Sequence, residues 1–98
     1  MEKGGFAYII TNKNHTTFYV GVTSNLKRRV LEHKNKINPD SFSARYNLYK
    51  LVYFEYWPSI DEAIMREKKL KNYSRKRKIE IIQRKNPNWE DLENQLDE

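Results

Sequence analysis

Two short runs of β-branched and aromatic residues, separated by a turn-forming segment, constrain the fold of this chain most. Residues 6–11 read FAYIIT and residues 18–22 read FYVGV, with NKNHT following the first run at 12–16. Aromatic and β-branched side chains favour strands, whereas Asn-rich segments favour turns. The two runs therefore predict an antiparallel β-hairpin.

The segment after the hairpin predicts a helix over about residues 25–35. Ser24 or Thr23 is suited to cap its N-terminus, because a hydroxyl oxygen accepts a hydrogen bond from a free backbone N–H of the first turn. Leu26 and Val30 are four residues apart and share one apolar face. That face is expected to pack on the sheet.

Two further segments complete the sheet and its connections. Residues 35–47, which contain Asn-Pro-Asp, are predicted to form a loop. Residues 48–57, LYKLVYFEYW, are apolar on both faces. This pattern predicts a central strand that is covered on both sides.

Two helices are predicted in the second half of the chain. Ser59 and Glu62 form a capping box after a proline and open a helix that ends near Asn72. Ser74 caps a second helix that ends before Asn86. Its expected core contacts are Ile79, Ile81 and Ile82.

These elements follow in the order β-β-α-β-α-α, which predicts an α/β (α+β) fold with a three-stranded, antiparallel-type sheet flanked by helices. The 98 residues favour one domain, which we assign to residues 1–85. Residues 86–98 form an acidic C-terminal tail. Trp89, Leu92 and Leu96 suggest that this tail is a short amphipathic helix or docks back onto the domain.

The charge of the chain is unevenly distributed. The formal net charge is +6, yet residues 86–98 contain five acidic residues and no Lys or Arg. Residues 66–85 contain ten Lys and Arg against Glu67 and Glu80. Such a density favours contact with nucleic acid through phosphate neutralisation, and the alternative is a solvated helix face that maintains solubility.

The composition excludes several other classes of protein. The chain has no cysteine, so disulfides and thiolate metal sites are excluded. Its longest apolar runs fall far short of the roughly 20 residues that span a bilayer. We therefore expect a cytoplasmic protein with no membrane partner, and a monomer.

Glu67 is an anomaly in the predicted helix over 59–72. The inward stripe of that helix includes Ile60, Ala63 and Leu70, and it places Glu67 among them. A carboxylate that faces a core is unfavourable unless a charge or hydrogen-bond donors satisfy it. Two structural alternatives remain open: the stripe is rotated so that Glu67 is exposed, or Glu67 pairs with a neighbouring Arg on the surface.

Three residues near the end of the hairpin suggest a phosphate site. Arg29 and His33 are separated by one helical turn, so their side chains lie on one face, where a guanidinium and an imidazole suit a phosphoryl group. Gly21 is expected at the end of the second strand, where the missing Cβ permits close approach. The alternatives are a structural histidine, an arginine that serves solubility and a β-bulge.

These residues resemble the GIY-YIG endonuclease superfamily over nearly the whole chain. The stretch REKKLKNYSRKRK resembles the small bacterial branch that consists of this domain alone. Two positions depart from the pattern: Val22 replaces a lysine of some branches, and a late asparagine has no clear counterpart. The matched positions, in chain order, are Tyr8 of the triplet FAY, Tyr19 and Gly21 of the triplet YVG, Arg29, His33, and Glu67 of DEAIMRE.

The resemblance implies a metal-dependent endonuclease that hydrolyses DNA phosphodiester bonds. In that reading, Glu67 holds Mg²⁺ or Mn²⁺ and Tyr8 is the general base, with Tyr19 positioning the attacking water or sharing the role of the base. Arg29 stabilises the transition state, and His33 relays a proton or contacts the phosphate. All five side chains are expected to face one cavity. The expected DNA contacts are Arg28, Lys68, Lys71, Arg75, Lys76 and Lys78.

The resemblance also implies a role in DNA repair or recombination and a branched or otherwise structured DNA substrate. A different class of function remains open, namely a non-catalytic nucleic-acid-binding module with the same fold. A third hypothesis is a protein-interaction adaptor that uses residues 89–98 to dock a protein partner. That tail has a further possible role, in which it folds over the basic surface and inhibits it.

Overall fold

The hairpin and one returning strand form the sheet, and helices cover both of its faces. The computed structural model describes residues 4–96. The strands are β1 (Gly5–Thr11), β2 (Phe18–Thr23) and β3 (Lys50–Trp57). The helices are α1 (Leu26–Lys34), α2 (Phe42–Arg45), α3 (Ile60–Asn72) and α4 (Arg75–Lys85), followed by a 3₁₀ helix at Leu92–Gln95.

All strand pairs are antiparallel, and the strand order in the sheet is β2-β1-β3. Tyr8 of β1 lies opposite Gly21 of β2 on one side and Phe54 of β3 on the other. The predicted three-stranded sheet with flanking helices is thus confirmed. The prediction that residues 48–57 form the central strand is wrong, because β1 occupies the centre and β3 lies at an edge.

The C-terminal segment explains why β3 has the pattern of a central strand. Trp89 packs against the cluster on the α3 and α4 face of the sheet, whereas Leu92 and Leu96 pack against the cluster on the α1 face. The segment therefore passes around the outer edge of β3. Both faces of this strand are covered although no fourth strand pairs with it, so apolar side chains are favoured on both.

Asn86 fixes the start of this wrap. Its side chain is almost fully buried, and Nδ2 donates to the Val52 carbonyl of β3 at 3.1 Å and to the Glu90 carbonyl at 2.9 Å. Its Oδ1 accepts the Glu90 N–H at 3.0 Å. One amide thus joins the end of α4, the edge of β3 and the tail.

Acidic residues of the tail contact α1. Lys34 of α1 lies 2.7 Å from the Asp91 carboxylate and 2.5 Å from that of Glu93. Asp97 and Glu98 lie outside the described residues. Where the tail is described, these two carboxylates thus pair with Lys34 of α1 and not with the basic side chains of α3 and α4.

Two apolar clusters lie on opposite faces of the sheet. Alternate residues of β1 point to opposite sides, as the pleat of a strand requires. The α3 and α4 side contains Ala7, Ile9, Val20, Val52, Tyr53, Leu70, Ile81 and Ile82. The α1 side contains Tyr8, Ile10, Leu26, Val30, Leu48 and Leu51.

Local capping signals set the starts of the helices. Ser59 and Ser74 accept N-terminal backbone N–H bonds of α3 and α4, as predicted. Asn25 caps α1 instead of Ser24 or Thr23. The predicted loop at 35–47 contains α2, a single turn capped by Ser41. Across residues 4–96, no helix has the length and apolar character needed to cross a membrane.

Replacing Asn86 with alanine is expected to lower the free energy of unfolding by about 1–3 kcal/mol. The change leaves a buried backbone carbonyl and an N–H without their partner. Urea denaturation measures the effect, and Asn88→Ala, at an exposed position two residues away, is the matched control. Equal stability of the two variants would contradict the role of the Asn86 side chain in joining α4, β3 and the tail.

Candidate active site

A buried chain of hydrogen bonds joins β1, α1 and α2. The Tyr8 hydroxyl lies 2.9 Å from His33 Nε2, and His33 Nδ1 lies 2.9 Å from Ser43 Oγ. Tyr8, His33 and Ser43 are all buried. Ser43 Oγ is in turn 3.2 Å from Ser41 Oγ, the capping hydroxyl of α2. Three elements are therefore held together through one imidazole.

The partners of this chain determine where its protons lie. Arg29 lies close enough to Tyr8 to offset part of the rise in its pKa, and a guanidinium can only donate, so it offers the phenolic proton no acceptor. We therefore assign the Tyr8 proton to the hydrogen bond with His33 Nε2. Neutral His33 then carries its own proton on Nδ1 and donates it to Ser43. The network thus runs from Tyr8 through His33 to Ser43.

Burial holds the Tyr8–His33 pair in its neutral form. Desolvation raises the pKa of Tyr8 to about 12, against a smaller lowering by Arg29. Desolvation first, and then the positive charge of Arg29, lower the pKa of His33 to about 4. Both side chains are therefore uncharged at neutral pH. Proton transfer from Tyr8 to His33 is unfavourable in the resting protein.

Arg29 places a positive charge beside this pair. Its interaction with Tyr8 is the main cause that raises the pKa of the guanidinium, so the charge is permanent. Its Nη1 also donates to Glu32 Oε1 at 3.1 Å, one turn along α1. The side chain is nearly half exposed, which leaves guanidinium N–H groups available to an anion from solvent.

Gly21 makes room for the two tyrosines. A Cβ at this position would lie 2.5 Å from the Tyr8 hydroxyl oxygen and 2.9 Å from the Tyr19 ring. A Cβ does not approach non-bonded atoms this closely, so any other residue at position 21 would displace the Tyr8 ring. The prediction that Gly21 ends its strand is wrong, because β2 continues to Thr23. The close approach of the Tyr8 ring to Gly21 therefore occurs within β2 and not at its end.

Tyr19 connects the buried chain to a surface cavity of about 330 Å³. Its ring centroid is 5.7 Å from that of His33 and 6.4 Å from that of Tyr8. Arg29 and His33 line the same cavity. The tyrosines, the arginine and the histidine are thus brought together, as the sequence predicted.

Glu67 lies on the other side of the sheet. It is buried on the inward face of α3, as its spacing predicted, and its carboxylate is 2.6 Å from Lys71 Nζ. The expectation that it faces the same cavity as Arg29 and His33 is wrong, because α3 packs on the opposite sheet face from α1. Helix α3 also packs against β2, the strand that carries Tyr19, and Tyr19 is a minor cause of the raised pKa of Lys71, after the Lys71 hydrogen bond to Glu67.

The basic residues singled out in the sequence fall into two groups. Lys71 pairs with Glu67, Arg75 donates to the His15 carbonyl at 2.9 Å, and Lys78 Nζ lies 3.4 Å from the Lys71 carbonyl. These three help to hold the fold. The second group consists of Arg28, Lys68 and Lys76, which are exposed, as Lys71 and Arg75 also are. Arg28 makes only a 3.8 Å contact with Glu32, so this second group is available to an external anion.

Sequence reasoning missed two members of the site. Ser43 lies in a segment that was predicted to be a loop, and nothing in its sequence context points to His33, ten residues away. Glu32 follows Arg29 by three residues and Arg28 by four, which is the spacing of helical ion pairs. That spacing was a usable signal.

Comparison with known proteins identifies the arrangement. The GIY-YIG catalytic domain model matches residues 4–80 of this chain. The chain belongs to the GIY-YIG family. It is 32% identical over 91 residues to a UPF0213 protein of Clostridium perfringens, an alignment that covers 93% of this chain and 96% of that protein.

Two further matches place the chain within this family. The solution NMR structure of a UPF0213 protein from Bacillus halodurans superposes with a TM-score of 0.56 at 25% identity, covering 91% of this chain and 93% of that one. The UvrABC system protein C of Methanococcus maripaludis is 31% identical over 88 residues, which are 88% of this chain but 17% of that protein. The GIY-YIG unit thus occurs both as a small protein and as part of a larger one.

His33 is expected to titrate with a pKa of about 4, against 6.5 for an ordinary histidine. Between these values the unfolded chain binds a proton that the native state does not, so stability falls as the pH drops from 6.5 towards 4. Tyr8, Tyr19, Arg29 and Glu32 surround the ring. NMR of the imidazole measures the pKa directly.

The matched variant for this titration is His33→Gln, which has no titrating imidazole. The difference in free energy of unfolding between the wild type and this variant should decrease as the pH falls from 6.5 to about 4. A difference that stays constant from pH 7 to pH 4 would contradict the lowered pKa.

Proposed function

We propose that this protein is a divalent-metal-dependent endonuclease that hydrolyses DNA phosphodiester bonds. The observation that carries the proposal is the buried Tyr8–His33–Ser43 chain with the Arg29 guanidinium beside the phenolic oxygen. A proton acceptor and a fixed positive charge are the two groups that phosphodiester hydrolysis requires at one place. Membership of the GIY-YIG family supports the same reaction class.

Tyr8 and His33 are suited to move a proton in relay. An attacking water gives a proton to the Tyr8 oxygen while Tyr8 passes its own proton to His33 Nε2. Because the phenol gains one proton as it loses another, the reaction avoids a free phenolate, which the pKa of about 12 disfavours. Ser43 Oγ accepts a hydrogen bond from the protonated ring nitrogen, Nδ1, and so keeps Nε2 free to accept a proton. Tyr19 borders the same cavity and orients the water.

Arg29 stabilises the negative charge that develops on the phosphorus-bound oxygens. A guanidinium suits this role because it binds two oxygens at once in a planar fork. Glu32 accepts one of its N–H groups and so restricts the orientation of the side chain. The phosphodiester then lies at the free edge of β2, with Arg29 and Tyr19 on one flank and Lys71 on the other.

Glu67 is the proposed ligand of Mg²⁺ or Mn²⁺. Its carboxylate is buried, and its ionic partner is the half-exposed side chain of Lys71. Within residues 4–96, no three His, Asp or Glu side chains converge as a metal cage. The donor set therefore fits a hard cation held by one carboxylate, water and substrate phosphate, the mode typical of Mg²⁺. When bound, such an ion polarises the phosphate and neutralises the leaving oxygen.

The exposed basic residues are proposed to bind the DNA backbone. Lys68 and Lys76 lie on α3 and α4 and form no ion pair within the described part of the chain. Arg28 lies on α1, one residue before Arg29. Phosphate contacts of this type position a duplex without reading its sequence. A structure-specific substrate in DNA repair or recombination is consistent with such contacts.

Two observations favour a second function, that of a nucleic-acid-binding module without cleavage. Lys71 forms an ion pair with the Glu67 carboxylate that a metal would need, and the Tyr8 pKa of about 12 disfavours base catalysis. A protein that keeps this ion pair would bind DNA through its basic face without cleaving the DNA. The response to divalent metal separates the two functions.

Glu67→Gln is expected to reduce Mg²⁺-dependent cleavage of flap and branched DNA by at least about 100-fold, because a catalytic metal supplies several kcal/mol of transition-state stabilisation. Gel assays of end-labelled substrates measure the rate. Asp61→Asn removes an exposed carboxylate from the same helix and should keep wild-type activity. Undiminished cleavage by Glu67→Gln would exclude the proposed mechanism.

Lys71→Met is expected to tighten Mn²⁺ binding at Glu67 by about two- to fivefold, since the competing ion pair is removed. Paramagnetic broadening of NMR signals around residue 67 measures the affinity. Lys68→Met loses the same charge from α3 without touching Glu67 and should leave the affinity nearly unchanged. An equal effect of both variants would show that the response is one of net charge alone.

A further inference from the structure

A row of aromatic rings leads from the proposed active site to the surface. The Tyr19 and Phe42 ring centroids are 6.4 Å apart, and those of Phe42 and Tyr46 are 4.7 Å apart. Phe42 is 47% exposed and Tyr46 is 49% exposed. Neither ring is needed to fill the core. Exposed aromatic side chains next to a reactive site are typical of ligand contact.

The cavity beside these rings is lined by two chemically different sets of residues. The first set is Tyr19, Arg29 and His33, beside which the phosphodiester is proposed to lie. The second set comes from the segment that follows α1 and from the start of α2, and it includes Phe42. Its other members include Lys36, Ile37, Asn38 and Ser41.

This second set combines an apolar surface with polar groups and a positive charge. The Phe42 ring offers a π face. The Asn38 amide offers both a donor and an acceptor, and the Lys36 ammonium offers a charge for an anion. A nucleotide has the matching groups, namely a flat base with a polar edge on a phosphate backbone. An apolar peptide segment would leave the amide and the ammonium unmatched.

We propose that Phe42, supported by Tyr46, stacks on an unpaired base next to the scissile phosphodiester. Aromatic side chains stack on any base, because every base has a π face. A base inside a duplex is already stacked and paired, so only an unpaired or extruded base reaches the ring. The inference rests on the proposed endonuclease function and specifies its substrate, which is DNA with a single-stranded flank at the cleavage point.

The geometry also explains the position of α2. Ser43 forms a buried hydrogen bond with the His33 ring, while Phe42, the preceding residue, lines the cavity. One helical turn thus fixes the proton relay and presents the stacking ring. Base binding and proton transfer are thereby linked through two adjacent residues.

The test measures binding without cleavage, in EDTA and low salt. One DNA has a three-nucleotide single-stranded flap with 2-aminopurine at the junction, and a fully paired duplex of the same sequence is the comparison. Phe42→Leu keeps an apolar side chain but removes the π face, and Phe42→Tyr keeps the face. Tyr56→Leu is the matched control, because it removes an exposed aromatic of β3 that does not line the cavity.

Phe42→Leu should weaken flap binding by roughly 5- to 100-fold, the range observed for loss of one base stack, and should abolish the change in 2-aminopurine emission. Duplex binding should stay unchanged. Phe42→Tyr and Tyr56→Leu should behave as wild type. NMR of the His33 ring verifies that α2 remains in place in each variant.

Equal weakening on flap and duplex, or no weakening by Phe42→Leu, would overturn the stacking role. This outcome is distinct from failure of the nuclease proposal, because metal and cleavage are absent from the measurement. The Glu67→Gln protein should show the same flap preference as wild type. Conversely, if the protein cleaves DNA but its affinity for the flap does not depend on Phe42, the nuclease function is retained and the stacking site is rejected.

Discussion

The hydrogen bond between the Tyr8 hydroxyl and the His33 imidazole is the constraint on which the site depends. It joins the central strand to α1, and the other ring nitrogen of His33 extends the connection to α2 through Ser43. All three side chains are buried, so each polar atom is satisfied only when the three elements take these positions together. Folding of the α1 face and assembly of the relay are therefore one event.

The sheet divides the proposed machinery into two groups. Arg29 and the relay lie on the α1 face, and Glu67 lies on the α3 face. Both groups border the edge strand β2, which carries Tyr19 of the cavity and packs against α3. A site at a sheet edge suits a long polymer, which can cross the edge and contact both faces. An enclosed pocket would exclude such a substrate.

The sequence predicted features whose causes are local and missed those whose causes are distant. The hairpin and the caps at Ser59 and Ser74 depend on neighbouring residues, so pattern and capping chemistry were sufficient. The position of β3 was predicted wrongly, because its cover on both faces comes from residues 89–96, whose wrap is a tertiary contact. The contact of Ser43 with His33 is tertiary as well. The family resemblance supplied the grouping of the site residues, but it gave no sign that the sheet separates Glu67 from the others.

The charges around the relay indicate how a substrate changes it. Arg29 contributes to the low pKa of His33, after desolvation. A phosphate that binds Arg29 offsets this charge and thereby makes His33 a better proton acceptor. In the proposed mechanism, Tyr8 both receives and donates a proton, so its own pKa matters less than the basicity of His33, which holds the proton at the end. Burial keeps both groups neutral in the free protein, and under this proposal the negative charge of a bound phosphodiester favours the proton transfer.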